Sequence, residues 1–349
     1  MSNYDQFAAA VKEISGGKNI VLLDDLGLPS VYVPINKLKN SEIISGGSEN
    51  THPAFSVDGV EKSRFLYSKY QNIVINGRAY SLSHRDPKTY VNFDQARQAC
   101  EAKGAGFHLG TLAEWAAVAL LTRKMGTMPH GNNNYGGDSA YTYEKGQESA
   151  KDNNKTGRTF TGSGPATWGH DHTQFGIQDM NGNVWEWLGG MRLNEGEIQI
   201  IPYNNAALGS ECDMSASSIL WKAIKNDGSL VAPGTAATLK YDFVSGNIQL
   251  TTGITSAQDA GRGGSYTAMT LASGVTAPEL AKALILYPDE PGKDYGGDYH
   301  WMNNAGERLP IAGGYWYDGA GAGVFYLGLG DARSCSHGYI GFRSAYVEL

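Results

Sequence analysis

Cysteine is scarce in this chain: Cys100, Cys212 and Cys335 are the only three. They are too few and too scattered for a disulfide framework or a cysteine-rich zinc site. Charge is sparse too, at 18% of residues, and no block of Lys or Arg interrupts a net charge of −7. A nucleic-acid surface is therefore not expected. The longest apolar runs, such as Trp115 to Leu121, fall far short of a bilayer span, so neither is membrane insertion. The opening MSNYDQFAAAVKEISGG lacks a basic start followed by an apolar stretch, and no secretory signal is read in it. HExxH, GxSxG, P-loop and dinucleotide patterns are missing; GRGGSY at 261–266 has the glycines but no βαβ context. No long period repeats, which argues against a solenoid or propeller.

Glycine, by contrast, fills 46 of 349 positions, beside 11% aromatic and 41% apolar residues. That mixture excludes a coiled coil, a collagen and a disordered tail, and it is ample for a hydrophobic core. It points to a loop-rich globular protein. Phe7, Val11 and Ile14 predict a helix over 4–14, closed by Gly16 and Gly17. Strand-like runs follow at Ile20 to Leu23 and Val31 to Ile35, and a Gly/Ser/Asn stretch at 45–51 suggests a junction. Residues 1–60 are expected to be a small attachment or oligomerisation region, and 61–349 the main domain. Further strands are expected at Arg64 to Tyr67, Ile73 to Ile75 and Tyr80 to Leu82. Asn92 with Gln95, and Thr111 with Glu114, are capping boxes for two helices, the second running from Leu112 to Met125 with a partly apolar stripe. Residues 128–169 read as a long loop. Short strands are expected at Ile198 to Ile201, Leu239 to Phe243 and Ile248 to Thr251. Gly-Gly-aromatic turns are expected at 262–266 and 313–316. Early helices and late short strands predict an α+β fold.

In order, VNFDQARQAC, GTLAEWAAVALL, GIQDMNGNVWEW, a Gly-Gly-aromatic turn and GFRSA resemble the formylglycine-generating (sulfatase-modifying factor) type of C-type lectin fold. The resemblance covers about residues 64–349 and implies two helices with short twisted antiparallel strands and long loops. Trp185 and Trp187 alternate and are expected in the core, with Glu186 facing the other way. Relatives can carry a Ca²⁺ near this turn, which implies Asn183, Val184 (through its carbonyl) and Glu186 as ligands. The alternative is Glu186 as a structural carboxylate bound to a backbone group or an Arg. No cofactor is otherwise required.

The oxidases of this family bridge copper(I) between two C-terminal cysteines, whereas DARSCSHGYIGFRSA holds Cys335 alone. His170-Asp171-His172 is the one local histidine cluster and lacks a third ligand, so a turn-stabilising role is expected. No catalysis is expected. A second resemblance concerns AGGYWYDGAGAGVFYLGLGDARSCSHGYIGFRSA, which is similar to the variable region of diversity-generating retroelement targets such as phage tropism determinants. There, randomised AAY codons never reach Lys, Glu, Gln, Met or Trp. Between Tyr315 and Tyr339 none of these occurs except Trp316.

The resemblance places the variable region at about 313–345 and its diversified, ligand-binding positions at Tyr315, Tyr317, Asp318, Gly321, Tyr326, Gly328, Gly330, Asp331, Cys335, His337, Gly338 and Tyr339. Trp316, Val324, Phe325, Leu327, Leu329 and Ile340 would pack inward as frame. It implies a receptor-binding protein of a phage tail, present in the virion or in the cytoplasm before assembly. The expected partner is a protein or glycan on a host surface, and the expected assembly a homotrimer. The alternatives are a copper-dependent formylglycine-type oxidase or its degenerate homologue, and an invariant structural virion protein whose C-terminal strand is merely core.

Overall fold

The computed structural model describes residues 3–349. Both capping boxes form: the Asn92 and Thr111 side chains each accept the N–H three residues on, and Gln95 and Glu114 reach back. They open helices Phe93–Glu101 and Leu112–Met125, the second stopped by left-handed Gly126. The Leu112–Met125 helix is buried on nearly all sides rather than along a stripe, with Trp115 through Ala119 fully enclosed. That explains its weak amphipathic pattern. No helix among the described residues is long and apolar enough to cross a membrane.

A five-stranded sheet runs in the order Ile20–Leu23, Pro29–Asn36, Arg64–Ser68, Ser344–Tyr346, Phe107–Leu109, with antiparallel neighbours. It crosses the boundary expected at residue 60. The Asn3–Ile14 helix has no fully buried residue and packs against the Ile20–Leu23 strand. Nor does the 45–51 stretch behave as a free linker, since the Ser48 N–H and hydroxyl both donate to Glu279, and the Ser45 N–H to Asp289.

The larger sheet carries the C-terminal region. Strand Gly323–Asp331 lies between Tyr299–Met302, parallel to it, and Glu307–Gly313, antiparallel. Trp185–Trp187 continues the layer, antiparallel to Glu307–Gly313 and parallel to Ile340–Phe342. The glycine-rich segment expected as a turn at 262–266 is instead strand Arg262–Ser265, paired with Tyr299–Met302. The Leu112–Met125 helix pins the C-terminal strand directly, because the Trp115 indole N–H donates to the Val324 carbonyl at 2.7 Å.

Candidate functional site

The residues expected to ligate Ca²⁺ meet first at the Asn-Gly-Asn turn. Asn183 is left-handed (φ 63°), a conformation Asn tolerates. Its side-chain oxygen accepts from the Thr159 N–H at 2.8 Å and its amide donates to Gln71 at 2.8 Å. Glu186 takes a two-pronged ion pair from Arg343, at 2.8 and 2.9 Å, and a hydrogen bond from Gln71 at 3.0 Å. Gln71 also donates to the Val184 carbonyl. The remaining Arg343 N–H groups reach the Ser68, Lys69 and Gln178 carbonyls, so all five donors are used. A calcium ion does not fit here: the positive charge it would bring is supplied by Arg343, and the oxygens face their own partners. Glu186 is the structural carboxylate of the alternative reading. His170-Asp171-His172 likewise braces its loop: His170 accepts from the Ile177 N–H, and Asp171 from the Thr173 N–H and hydroxyl.

The C-terminal segment is built differently. Trp316, Val324, Phe325, Leu327, Leu329 and Ile340, the expected frame, are all buried. Among the expected variable positions, Tyr317 is exposed, Gly328 is buried, and the other ten are half-buried. Along Gly323–Asp331 the strand period puts Phe325, Leu327 and Leu329 into the main core and Tyr326, Gly328 and Gly330 on the opposite face. The tight 313–314 turn and the 332–339 loop bring Tyr315 and Tyr339 to that face, with ring centroids 4.9 Å apart. His337 stacks on Tyr339 at 5.0 Å, Tyr326 meets Trp185 edge-on at 4.4 Å, and Tyr317 leans on Tyr135.

These side chains enclose a concavity of about 400 Å³ lined by Tyr315, Asp318, Tyr326, Gly328, Asp331 and Tyr339, together with Trp185, Trp301 and Ile311. Tyr317, Gly321, Gly330, Cys335, His337 and Gly338 are not part of its wall. Register explains its floor, since Gly328 lies opposite both Ile311 and Trp301. Trp185, expected as core, is also part of the wall. Trp301 and Tyr299, 39% and 42% exposed, were not singled out from the sequence. Their signal was the alternation Tyr-His-Trp-Met, whose His300 and Met302 are buried.

The concavity is acidic but short of full charge. Burial pushes the Asp318 carboxyl up to about 7, against the pull of the Tyr315 N–H that donates to it. Burial also raises Asp331, countered by His337 and by a hydrogen bond with Cys335. The Cys335 thiol is raised by burial and by Asp331. The loop beneath is rigidly held. Arg333 ties it to Glu307 (3.0 Å), Asp94 (2.9 Å) and the Met214 carbonyl (2.9 Å), and its guanidinium lies over the Phe93 ring. The His337 and Tyr339 carbonyls accept from the N–H groups of Tyr90 and Trp185. Such preorganisation suits a binding surface.

No curated protein matches this chain. Among solved structures, Treponema denticola variable protein 1 is 12% identical, with 94% of this chain and 98% of that one covered, at a TM-score of 0.34. A Major Tropism Determinant P3c variant is 11% identical, with 94% and 71% covered, at 0.30. Likeness at this level carries no functional weight. Residues 39–269, about two thirds of the chain, match the sulfatase-modifying factor enzyme 1-like domain. The chain therefore belongs to that family and has its α+β, C-type lectin-type fold.

Proposed function

We propose that this chain is a non-catalytic ligand-binding protein whose C-terminal face is diversified by a retroelement, carried on a phage tail and docking to a protein or glycan of the host surface. The observation that carries the reading is a contrast among the glycines of 313–341. Those of the frame are glycine by necessity. Gly313 and Gly314 have φ of 93° and 81°, and a Cβ on Gly314 would sit 2.7 Å from that of Ala322. A Cβ on Gly323 would meet Asp298 at 2.2 Å, and one on Gly341 the Lys88 carbonyl at 2.8 Å.

None of the glycines at the expected variable positions, Gly321, Gly328, Gly330 and Gly338, has a left-handed φ. A Cβ on Gly330 makes an ordinary 3.4 Å contact with Trp301, and one on Gly338 meets only the hydroxyl end of exposed Tyr90. Gly328 and Gly338 are equally tight at 2.9 Å, Gly328 against the Ile311 side chain, which must shift to admit a Cβ. A glycine there is one draw among many rather than a backbone requirement. Tyr suits the role, since it offers area and a hydroxyl at little rotamer cost.

The oxidase alternative needs a second thiolate beside Cys335. The groups converging on it are a carboxylate and an imidazole, while Cys100 and Cys212 are buried. Sequencing the 3′ end of the gene across sibling clones, with a few kilobases of flanking DNA, tests the proposal. It expects a downstream near-copy with AAY at the variable positions and clones differing only there. A uniform 3′ end with no template copy would overturn it.

A further inference from the structure

Three chemically different donors meet on the rim of the concavity. A carboxylate oxygen of Asp331, the Cys335 sulfur and a ring nitrogen of His337 all lie within 4.8 Å of one another, and all three residues are half-buried. Among the described residues no other group of three or more His, Cys, Asp or Glu side chains converges in this way. We propose that Asp331, Cys335 and His337 form a zinc-type site with three protein ligands, whose open fourth position faces the ligand-binding concavity.

Four observations support this. With bonds of about 2.0–2.3 Å, a tetrahedral zinc ion holds its donors roughly 3.5 Å apart, so small side-chain rotations close the triad. A mixed O, N, S set suits zinc or cobalt(II) better than copper(I), which calls for soft thiolates. The backbone is already fixed: the Cys335 N–H donates to the Ala332 carbonyl, the His337 carbonyl accepts from Tyr90 and Ile340, and Arg333 anchors the loop. Closing the site therefore costs side-chain rotations rather than loop ordering. Lastly, Asp331 itself lines the concavity, so a metal held there would present its free position to whatever enters. Three protein ligands with one exchangeable place is the arrangement of zinc sites that bind an outside group.

The inference rests on the proposed function in two respects only: what occupies the fourth position, and how the site arose. Asp, Cys and His all belong to the set that randomised AAY codons reach. The site would thus belong to this variant, and siblings drawing other residues at any of the three positions would lack it. The metal itself is tested on the protein alone. The full chain, stripped with a chelator and titrated with Co²⁺, should take up one equivalent. A thiolate-to-cobalt charge-transfer band should appear and be bleached by Zn²⁺.

Cys335→Ser should abolish the band with an unchanged circular dichroism spectrum. His337→Ala and Asp331→Ala should each weaken Co²⁺ binding by more than the ~10- to 100-fold typical of losing an outer-shell partner. Zn²⁺ should raise the melting temperature of the parent and not that of His337→Ala. Absence of the band in the parent, or its persistence in Cys335→Ser, would overturn the site. Either result leaves the gene-sequencing test of the proposed function standing by itself.

Discussion

One short strand, Trp185–Trp187, serves two regions of opposite character. Through Glu186 it enters a node in which Arg343 spends all five N–H groups and Gln71, Asn183 and Thr159 bind one another. Through Trp185 it forms a wall of the C-terminal concavity, where its ring meets Tyr326 edge-on and burial raises the Asp318 and Asp331 carboxyls. The node spends every Arg343 donor on its own residues and serves to fix the frame. The concavity has aromatic area, hydroxyls and incompletely used donors, which is what a ligand needs. A fixed frame beneath a replaceable face requires that difference.

Breaking the node should cost most. Arg343→Leu leaves Glu186 as an uncompensated buried charge and is expected to destabilise the fold by about 3–5 kcal/mol in urea unfolding. A smaller loss separates frame from face: Gly313→Ala should cost about 1–3 kcal/mol, because a side chain is forced into a left-handed backbone. Gly330→Ala should stay within about 0.5 kcal/mol of the parent in the same assay. If both glycines cost alike, the contrast between them fails. Tyr317, 61% exposed, sharpens the comparison from the other side. Tyr317→Ala should leave stability within about 0.5 kcal/mol and, against a ligand recovered by screening, weaken binding about tenfold.

A change of pH rather than of sequence probes the same face through Asp318. Its carboxyl sits at about 7 in the folded chain against an ordinary 3.8, so between those values the folded state keeps a proton that the unfolded state releases. Its contribution must therefore lower stability as pH rises through that window and level off above it. Asp318→Asn keeps an acceptor for the Tyr315 N–H and removes the decline. The variant should melt higher than the parent above pH 7 and close to it near pH 4, as read by melting temperature across the range.

The sequence was most legible where structure is local. The two capping boxes, the Gly126 stop and the Ile20–Leu23 strand follow from neighbours a few residues apart. One local signal went unused: Asn76-Gly77, both at positive φ, turns the Ile73–Ile75 and Arg78–Tyr80 hairpin and shifts the second strand from the expected 80–82. What a pattern could not give were partners across long separations. Arg343 reaches Glu186 over 157 positions, so the partner of that carboxylate is visible only in the fold. Likewise Trp301 joins the concavity through a parallel pairing with Gly323–Asp331 that no short motif announces.

The central claim is a frame that holds while its face is exchanged, and a paired library tests it most directly. AAY-derived mixtures would be placed at the twelve expected variable positions in one library and at twelve of the buried or glycine frame positions of 313–345 in another. The fraction of each that remains soluble and folded would then be counted. The account predicts that most members of the first library fold and almost none of the second. Comparable survival of the two, or collapse of the first, would contradict it.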